Sequence, residues 1–282
     1  MTVIRFRRRT AVLFAAYILL ICVIPSLLST TLFSFLLVDL NTHITPDYKK
    51  EDLTAVLSQE EWSQDDFDLL YRQTGLSPSA LLALKASDTD ILQFQDALYY
   101  DGPIIHTDTA GITPHCVMDG FTAPIAPLEN GDILVTASCH TLGYKNGHAA
   151  IVVNAKTGSV LEASNPGHPS QIGNVKWFQH ASNFLVLRLK DASPEERNEI
   201  AQWALSALYP VDYSLFVGFF SPKDQGDHPT KTHCSHLVWQ AYYHSGYDLD
   251  SDGGPLASVR DVARSPLLET VQVYGFDVDR RW

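Results

Sequence analysis

The chain has 282 residues, 45% of them hydrophobic and 18% charged, so it is long enough for one sizeable core with additional segments. Its 20 basic and 32 acidic residues give a formal net charge of -12 at pH 7. An acidic surface repels the phosphate backbone of nucleic acids, so nucleic-acid binding is excluded as the predicted function.

An uncharged apolar segment, Thr10–Val38, follows four arginines at the N-terminus. As a helix it is long enough to cross a hydrocarbon core of ~30 Å. It exceeds the apolar core of a signal peptide and shows no clear small-x-small cleavage site, so residues 1–40 are predicted as an uncleaved transmembrane anchor rather than a removed signal peptide. The arginines before the segment and Asp39 after it place the N-terminus in the cytoplasm and the remaining chain outside the membrane.

Residues 41–100 are predicted to form a small helical region. Ser58 and Glu61 make a capping-box pattern at the start of a helix that Gly75 would end. Ser77-Pro78 begins a second helix, and residues 90–100 form a third. The region either covers a cleft, as a pro-segment does, or serves as a packing module or spacer. It contains no catalytic motif, which favours the second interpretation.

Residues 101–127 are rich in Gly, Pro and Thr and are predicted as a loop. Three short β-branched runs separated by turn residues then indicate an antiparallel meander. If its second turn is centred near Ala155, His148 and Glu162 lie opposite each other on paired strands. A carboxylate beside a histidine holds the imidazole in one tautomer, although both residues could also be ordinary strand residues.

A strand is predicted at residues 183–189 and a helix from Ser193-Pro194 to about Leu208. Farther along, Leu237, Val238, Ala241 and Tyr242 have the spacing of one buried helical face, which puts Cys234 at a helix N-terminus. Unpaired N–H groups and the helix dipole favour a thiolate at that position, as a cysteine nucleophile requires. The alternative is a small buried cysteine with a packing role only.

Asp248, Asp250, Asp252 and Gly253 match the first half of a calcium-binding loop. The twelfth position is Val259 rather than Glu, which argues against calcium and favours an acidic turn after the Cys234 helix. Zinc is not predicted, because no second cysteine pair accompanies the histidines beside Cys234. No cofactor is predicted.

Two further cysteines, Cys116 and Cys139, flank the first strand of the meander. If the chain lies outside the membrane they are on the oxidising side, where a disulfide and two separate thiols are both open outcomes. Cys234 is then the odd thiol.

Four segments in a fixed order resemble the YiiX/YebB-like branch of the NlpC-type papain-like cysteine hydrolases, in which the histidine strand precedes the cysteine helix. They are Gly131-Asp132-Ile133-Leu134, Gly147-His148-Ala149-Ala150-Ile151-Val152, Leu161-Glu162-Ala163 and Thr232-His233-Cys234-Ser235-His236-Leu237-Val238-Trp239. The resemblance implies that Cys234 is the nucleophile, His148 the general base and Glu162 the third residue. The family often carries a tyrosine upstream of the cysteine. Val211 stands at the matching position, so Tyr213 or Tyr209 would serve instead.

The expected fold is α+β: a circularly permuted papain-like antiparallel sheet over residues 128–282, with the Cys234 helix packed on it. The resemblance implies hydrolysis of amide bonds through a thioester, with peptides such as peptidoglycan stems as substrates. Two alternatives remain open. One is an acyltransferase or lipid esterase using the same Cys-His site, and the other is a non-catalytic cell-wall binding module.

Overall fold

The computed structural model describes residues 43–107, 115–139 and 145–279, together with the short pieces 17–18, 20–21 and 24–25. Most of the predicted membrane anchor therefore lies outside the described residues. Within those residues, no helix is both long enough and apolar enough to span a bilayer.

The described helices precede, interrupt and follow a set of short strands. The helices are α1 (Thr54–Leu57), α2 (Gln64–Thr74), α3 (Pro78–Ala86), α4 (Leu92–Leu98), α5 (Lys176–His180), α6 (Pro194–Ala207), α7 (Cys234–His244) and α8 (Val259–Arg264). The strands are β1 (Ile104–Thr107), β2 (His115–Met118), β3 (Ile133–Thr136), β4 (His148–Asn154), β5 (Ser159–Glu162), β6 (Gln171–Asn174), β7 (Phe184–Leu189), β8 (Asp212–Tyr213), β9 (Lys231–Thr232) and β10 (Leu268–Tyr274).

A six-stranded antiparallel sheet with the strand order β10-β7-β3-β4-β5-β6 forms the centre of the molecule. Strands β1 and β2 form a separate antiparallel ribbon, and β8 pairs with β9 in parallel. The predicted α+β class with a large antiparallel sheet is therefore confirmed. The meander of β3, β4 and β5 and the strand at β7 are confirmed as well.

The sheet is covered by helices on both faces. Alternate residues of β4 enter two different cores: Ala149 and Ile151 pack with α6, α7 and α8, whereas Ala150 and Val152 pack with α2, α3 and α4. This alternation is the period of two that a strand imposes on its side chains. The helical region before the sheet thus serves as a packing layer, in agreement with the second interpretation of residues 41–100.

The first long helix begins later than its sequence pattern predicts. Helix α2 starts after Ser63, which forms a capping box with Asp66, whereas Ser58 ends the short helix α1. The prediction was wrong because it required Glu or Gln at the third helical position, where Asp66 performs the same function. The end is confirmed, since Gly75 adopts a left-handed conformation with φ of 71°.

Several other elements lie at or near their predicted bounds. Ser77 caps α3, and α4 falls within the predicted third helix. Ser193 caps α6, which begins at Pro194 and ends one residue before Leu208. These caps are local side-chain-to-backbone hydrogen bonds, which explains why short sequence patterns predicted them.

Residues 101–127 are not a continuous loop, because β1 and β2 pair there with Ile104 opposite Met118. Each strand has only four residues, too few for an alternating pattern to stand out among Gly, Pro and Thr. Strands β6 and β10 also lacked a recognised signal. Strand β10 is buried at every position except Glu269, and its polar Thr270 and Gln272 are buried as well, so its sequence does not separate a core face from a solvent face.

Candidate active site

Cys234 is the first residue of helix α7 and is only 6% exposed. The residue before it, His233, caps the helix, and its Nδ1 accepts a hydrogen bond from the backbone N–H of His236 at 3.3 Å. The first-turn N–H groups of a helix lack intrahelical acceptors and carry its positive dipole end. The predicted position of Cys234 at a helix N-terminus is confirmed.

His148 is the first residue of β4, and Glu162 is the last residue of β5. The pairing differs from the predicted register, because Glu162 lies opposite Ala150 rather than His148. A displacement of two residues leaves both side chains on the same face of the sheet. His148 Nε2 donates a hydrogen bond diagonally to Glu162 Oε2 at 2.7 Å.

The structure brings the Cys234 thiol and the His148 imidazole together. Burial raises the pKa of Cys234, but hydrogen bonds from His148 and His233 and the charges of both rings outweigh it and lower that pKa to about 5. Burial lowers the pKa of His148, but hydrogen bonds and charge from Cys234 and Glu162 raise it to about 10. At neutral pH the pair is therefore a thiolate and an imidazolium. Since Nε2 donates to Glu162, Nδ1 is the ring nitrogen that remains for Cys234.

Glu162 remains an anion in a nearly closed environment. Burial raises its pKa, but the hydrogen bond and charge of His148 outweigh this effect, so the pKa is lowered. Gln171 on β6 donates to Glu162 Oε1 at 3.4 Å and to Ser164 Oγ at 3.1 Å. Gly173 makes room for the carboxylate, because a Cβ at that position would lie 2.5 Å from Glu162 Oε1.

Two aromatic rings fix the plane of the His148 imidazole. Phe178 stacks on it with a centroid distance of 5.8 Å, and Trp177 contacts it edge-on at 5.3 Å. Both belong to α5, which directly follows β6. The ring is thus held between the carboxylate, the thiol and an apolar wall, so its rotation is restricted.

The Cys-His pair opens into a cavity of about 240 Å³. The cavity is lined by Cys139, Asn146, Gly147, His148, Glu162, Ser164, Asn165, Gln171, Trp177, Tyr213 and Cys234. Cys234, His148 and Glu162 therefore line one common cavity. The lining is mixed polar and aromatic, as is common for ligand sites.

The cavity contains a second cysteine with the opposite ionisation. Cys139 is a free thiol, so no disulfide joins it to Cys116. Burial and then the nearby Cys234 thiolate raise the pKa of Cys139 well above its usual value. Cys139 is 8% exposed and Cys234 is 6% exposed, so ionisation rather than access distinguishes the two thiols.

Of the two candidate tyrosines, Tyr213 lies at the site. Its strand β8 pairs with β9 immediately before Cys234, with Tyr213 opposite Thr232. Burial and then the Cys234 thiolate raise the pKa of Tyr213, so it remains a phenol. Tyr209 is 46% exposed and does not line the cavity, and Val211 is buried.

The acidic turn after α7 is tied to that helix, because Trp239 Nε1 donates to Asp248 at 2.8 Å. Carboxylate oxygens of Asp250, Asp252 and Asp261 lie within 4.8 Å of one another, a convergence that the linear calcium pattern did not predict. Lys223 forms an ion pair with Asp250, and Asp261 caps α8. The carboxylates of Asp250 and Asp261 therefore already interact with other groups of the protein.

Several residues of the site carry no role in the sequence-based prediction, among them His233, Gln171 and Trp177. His233 had a recognisable signal, since an imidazole is an unusual N-cap and it immediately precedes the cysteine. Gln171 and Trp177 had none. Their strand and helix are short, and only the pairing of β6 with β5 brings them to Glu162 and His148.

No protein-family model and no curated protein sequence matches this chain. Among solved structures, the crystal structure of the metalloprotein yiiX from Escherichia coli O157:H7 is similar, with 21% sequence identity and a TM-score of 0.40. The match covers 52% of this chain and 98% of that one.

Proposed function

We propose that this protein is a cysteine hydrolase that cleaves amide bonds through a thioester on Cys234, with His148 as the acid–base residue and Glu162 as the residue that orients it. The observation that carries the proposal is that a cysteine at a helix N-terminus and a carboxylate-bound imidazole line the same cavity, where the imidazole lowers the pKa of the thiol. Nucleophile, base and orienting group in hydrogen-bond contact are the arrangement that acyl transfer requires.

The proposed reaction has the following steps. The Cys234 thiolate attacks the carbonyl carbon, and the backbone N–H of Cys234 stabilises the oxyanion at the positive end of α7. His148 Nδ1 then protonates the leaving amine, while Glu162 stabilises the imidazolium through Nε2. Water attacks the thioester and His148 accepts one of its protons; the carboxylic acid product leaves and ionises in solvent, and Cys234 is regenerated as a thiolate beside the imidazolium.

The proposed substrates are peptides of the cell wall, on the strength of the family resemblance of the motif segments. The same resemblance supports a permuted papain-like organisation, with the histidine strand before the cysteine helix. We further propose that the uncharged segment 10–38 anchors the chain in the cell membrane and that the catalytic domain faces outward. Protease accessibility of the domain in intact cells tests this orientation.

Acyl transfer to or from a lipid is the second candidate, because a thioester can also be resolved by an alcohol or amine. A cluster of exposed aromatic side chains directly after Tyr213 favours it. The two candidates share every step up to the thioester and differ in the group that is bound.

Thiol alkylation tests the proposed nucleophile. A small iodoacetamide probe at pH 7, with sites identified by mass spectrometry, should label Cys234 while Cys139 remains unmodified, because only Cys234 is ionised. Cys139→Ala is the matched control and should retain labelling, whereas Cys234→Ala should lose it. Equal labelling of both cavity cysteines would contradict the proposed ion pair.

Product analysis separates the substrate classes. Purified muropeptides and phospholipid vesicles are incubated in parallel with the full chain and with Cys234→Ala, and products are identified by mass spectrometry. New peptide fragments that require Cys234 support the hydrolase. Lyso- or transacylated lipid that requires Cys234 supports the second candidate. Selective labelling without either product would leave the chemistry intact but reject both substrate classes.

A further inference from the structure

Four large hydrophobic side chains are exposed within six consecutive residues after Tyr213. Leu215, Phe216, Phe219 and Phe220 are 41%, 55%, 58% and 85% exposed. We call residues 215–220 the aromatic loop. Single exposed hydrophobics are common in proteins, whereas a contiguous exposed aromatic group marks a surface that binds something apolar.

The aromatic loop is held in one shape. Val217 at its centre is only 1% exposed and anchors it, and Gly218 N donates to Ser221 O at 3.0 Å. Gly218 has a φ of +93°, and a Cβ there would lie 1.7 Å from Pro255 O, so the chain requires glycine at this position. Phe216 and Phe220 contact each other with a centroid distance of 5.3 Å. The side chains therefore project from a fixed backbone.

The segments on either side of the loop are fastened to strand β9, which leads into the nucleophile helix, and to that helix itself. Ser214 N donates to Thr232 O at 2.7 Å, two residues before Cys234. On the other side, His236 Nε2 donates to Lys223 O at 2.7 Å. Burial lowers the pKa of His236 to about 3, so this ring stays neutral and keeps the tether over the physiological range. The aromatic loop thus has a fixed position relative to the cavity, and so does any surface that it binds.

The position of the domain in the chain indicates what lies near this loop. The domain is fastened at His43, whose ring hydrogen-bonds to Ser182 O and Tyr100 O, and Ile44 N donates to Gly275 O. Residues 39–42 alone separate it from the uncharged segment 10–38, a reach of at most ~17 Å. If that segment spans a membrane, as proposed above, the short connection keeps the domain close to the bilayer surface.

We infer that the aromatic loop inserts into the outer part of a lipid bilayer and holds the cavity at its surface. Residues 214–222 carry no charge, and the nearest charged residues in sequence on its two sides are Asp212 and Lys223. The loop thus lacks the basic cluster that anionic lipids attract, and the chain as a whole is acidic. The partner that fits is a zwitterionic bilayer, entered by aromatic side chains to a depth of ~5–10 Å.

The experiment uses the full chain in phosphatidylcholine vesicles, with a tryptophan placed in the loop as a reporter. Phe220→Trp is compared with Leu82→Trp, an equally sized probe at another exposed apolar position, on helix α3. The emission of the unsubstituted protein, which has five tryptophans, is subtracted. Lipids brominated at shallow acyl positions should reduce the emission of Trp at position 220 and leave that at position 82 unchanged.

Other results would overturn the inference. If the chain floats with vesicles but bromolipid does not quench position 220, insertion of the aromatic loop is rejected, whereas the proposed membrane anchor is still supported. Equal quenching at both positions rejects a specific contact. Protection of position 220 from both bromolipid and aqueous acrylamide would mean that protein covers the loop. A chain that does not float at all rejects the loop and the anchor together, without bearing on the Cys234 labelling result.

Discussion

Two buried ionic clusters lie on the same sheet, and only one of them has the properties of an active site. In the first, His148 joins Glu162 and Cys234 at a cavity. In the second, Arg188 binds Asp132 through two hydrogen bonds of 2.7 Å and also pairs with Glu129. Both contain a carboxylate and a cation at the start or middle of a strand, so buried charge alone does not distinguish them.

The difference lies in access and in the groups that complete each cluster. Asp132 is fully buried, receives the backbone N–H of Glu129 at 2.7 Å, and does not line the cavity. Its hydrogen-bonding capacity is used, so it stabilises the fold and holds β3 to β7. The His148 cluster instead ends in a polarised sulfur that faces the cavity. A reactive site requires an ionised group that can still form an interaction or a bond with the substrate when it binds.

Of the substitutions that distinguish the two clusters, His148→Ala is expected to have the largest effect on the reactivity of Cys234 and on turnover. Without the imidazole, the pKa of Cys234 returns toward its ordinary value, and the thiolate fraction at pH 7 falls by about 30-fold. Alkylation of Cys234 should slow by that factor, and turnover should fall by ~10³-fold or more because the acid–base residue is also lost. Turnover close to that of the unsubstituted protein would mean that another residue is the base.

Removal of the cation from the second cluster should affect stability instead. Arg188→Met leaves Asp132 buried without its partner, which should lower the free energy of unfolding by about 3–5 kcal/mol. Urea denaturation measures this change, and Cys234 alkylation in the folded protein should keep its rate. A variant that folds with normal stability but loses Cys234 reactivity would show that the two clusters are coupled.

Glu162→Gln should produce the smallest of the three effects, because the amide can still accept a hydrogen bond from His148 Nε2. Loss of the negative charge lowers the pKa of His148, because the imidazolium loses the anion that stabilises it. The active form exists between the pKa of Cys234, about 5, and that of His148, about 10, in the unsubstituted protein, so the alkaline limb of the pH profile should move inward while the acid limb stays close to its place. The alkaline limb should move down by roughly 1–3 in pH.

The measurement for Glu162→Gln is the rate of Cys234 alkylation from pH 4 to pH 11, in which ionisation of Cys234 gives the acid inflection and deprotonation of His148 changes the reactivity of the thiolate at the alkaline one. Gln171→Ala is the matched control, because Gln171 contacts the same carboxylate without carrying charge. An unchanged alkaline limb in Glu162→Gln would mean that the carboxylate does not stabilise the imidazolium.

Local sequence patterns were sufficient where the physical cause is local. Ser77, Ser193 and Gly75 end or begin helices through hydrogen bonds and backbone conformations set within four residues, and Cys234 occupies the start of α7 for the same reason. The register of β4 and β5 was wrong by two residues. A shift by an even number keeps side chains on the same face, so the contact between His148 and Glu162 survived the error.

The sequence by itself determined an α+β chain with an uncharged apolar segment, an antiparallel meander, and a cysteine at the mouth of a helix. Hydrophobic periodicity and helix capping depend on residues that are close together in sequence, so they can be predicted from the sequence alone. Only the tertiary structure decided that Cys139 shares the cavity as a protonated thiol, that His233 and Gln171 support the Cys-His-Glu set, and that the aromatic loop is fixed beside it. These relations depend on which segments, far apart in sequence, pack together and bury one another from water. No local sequence pattern contains that information.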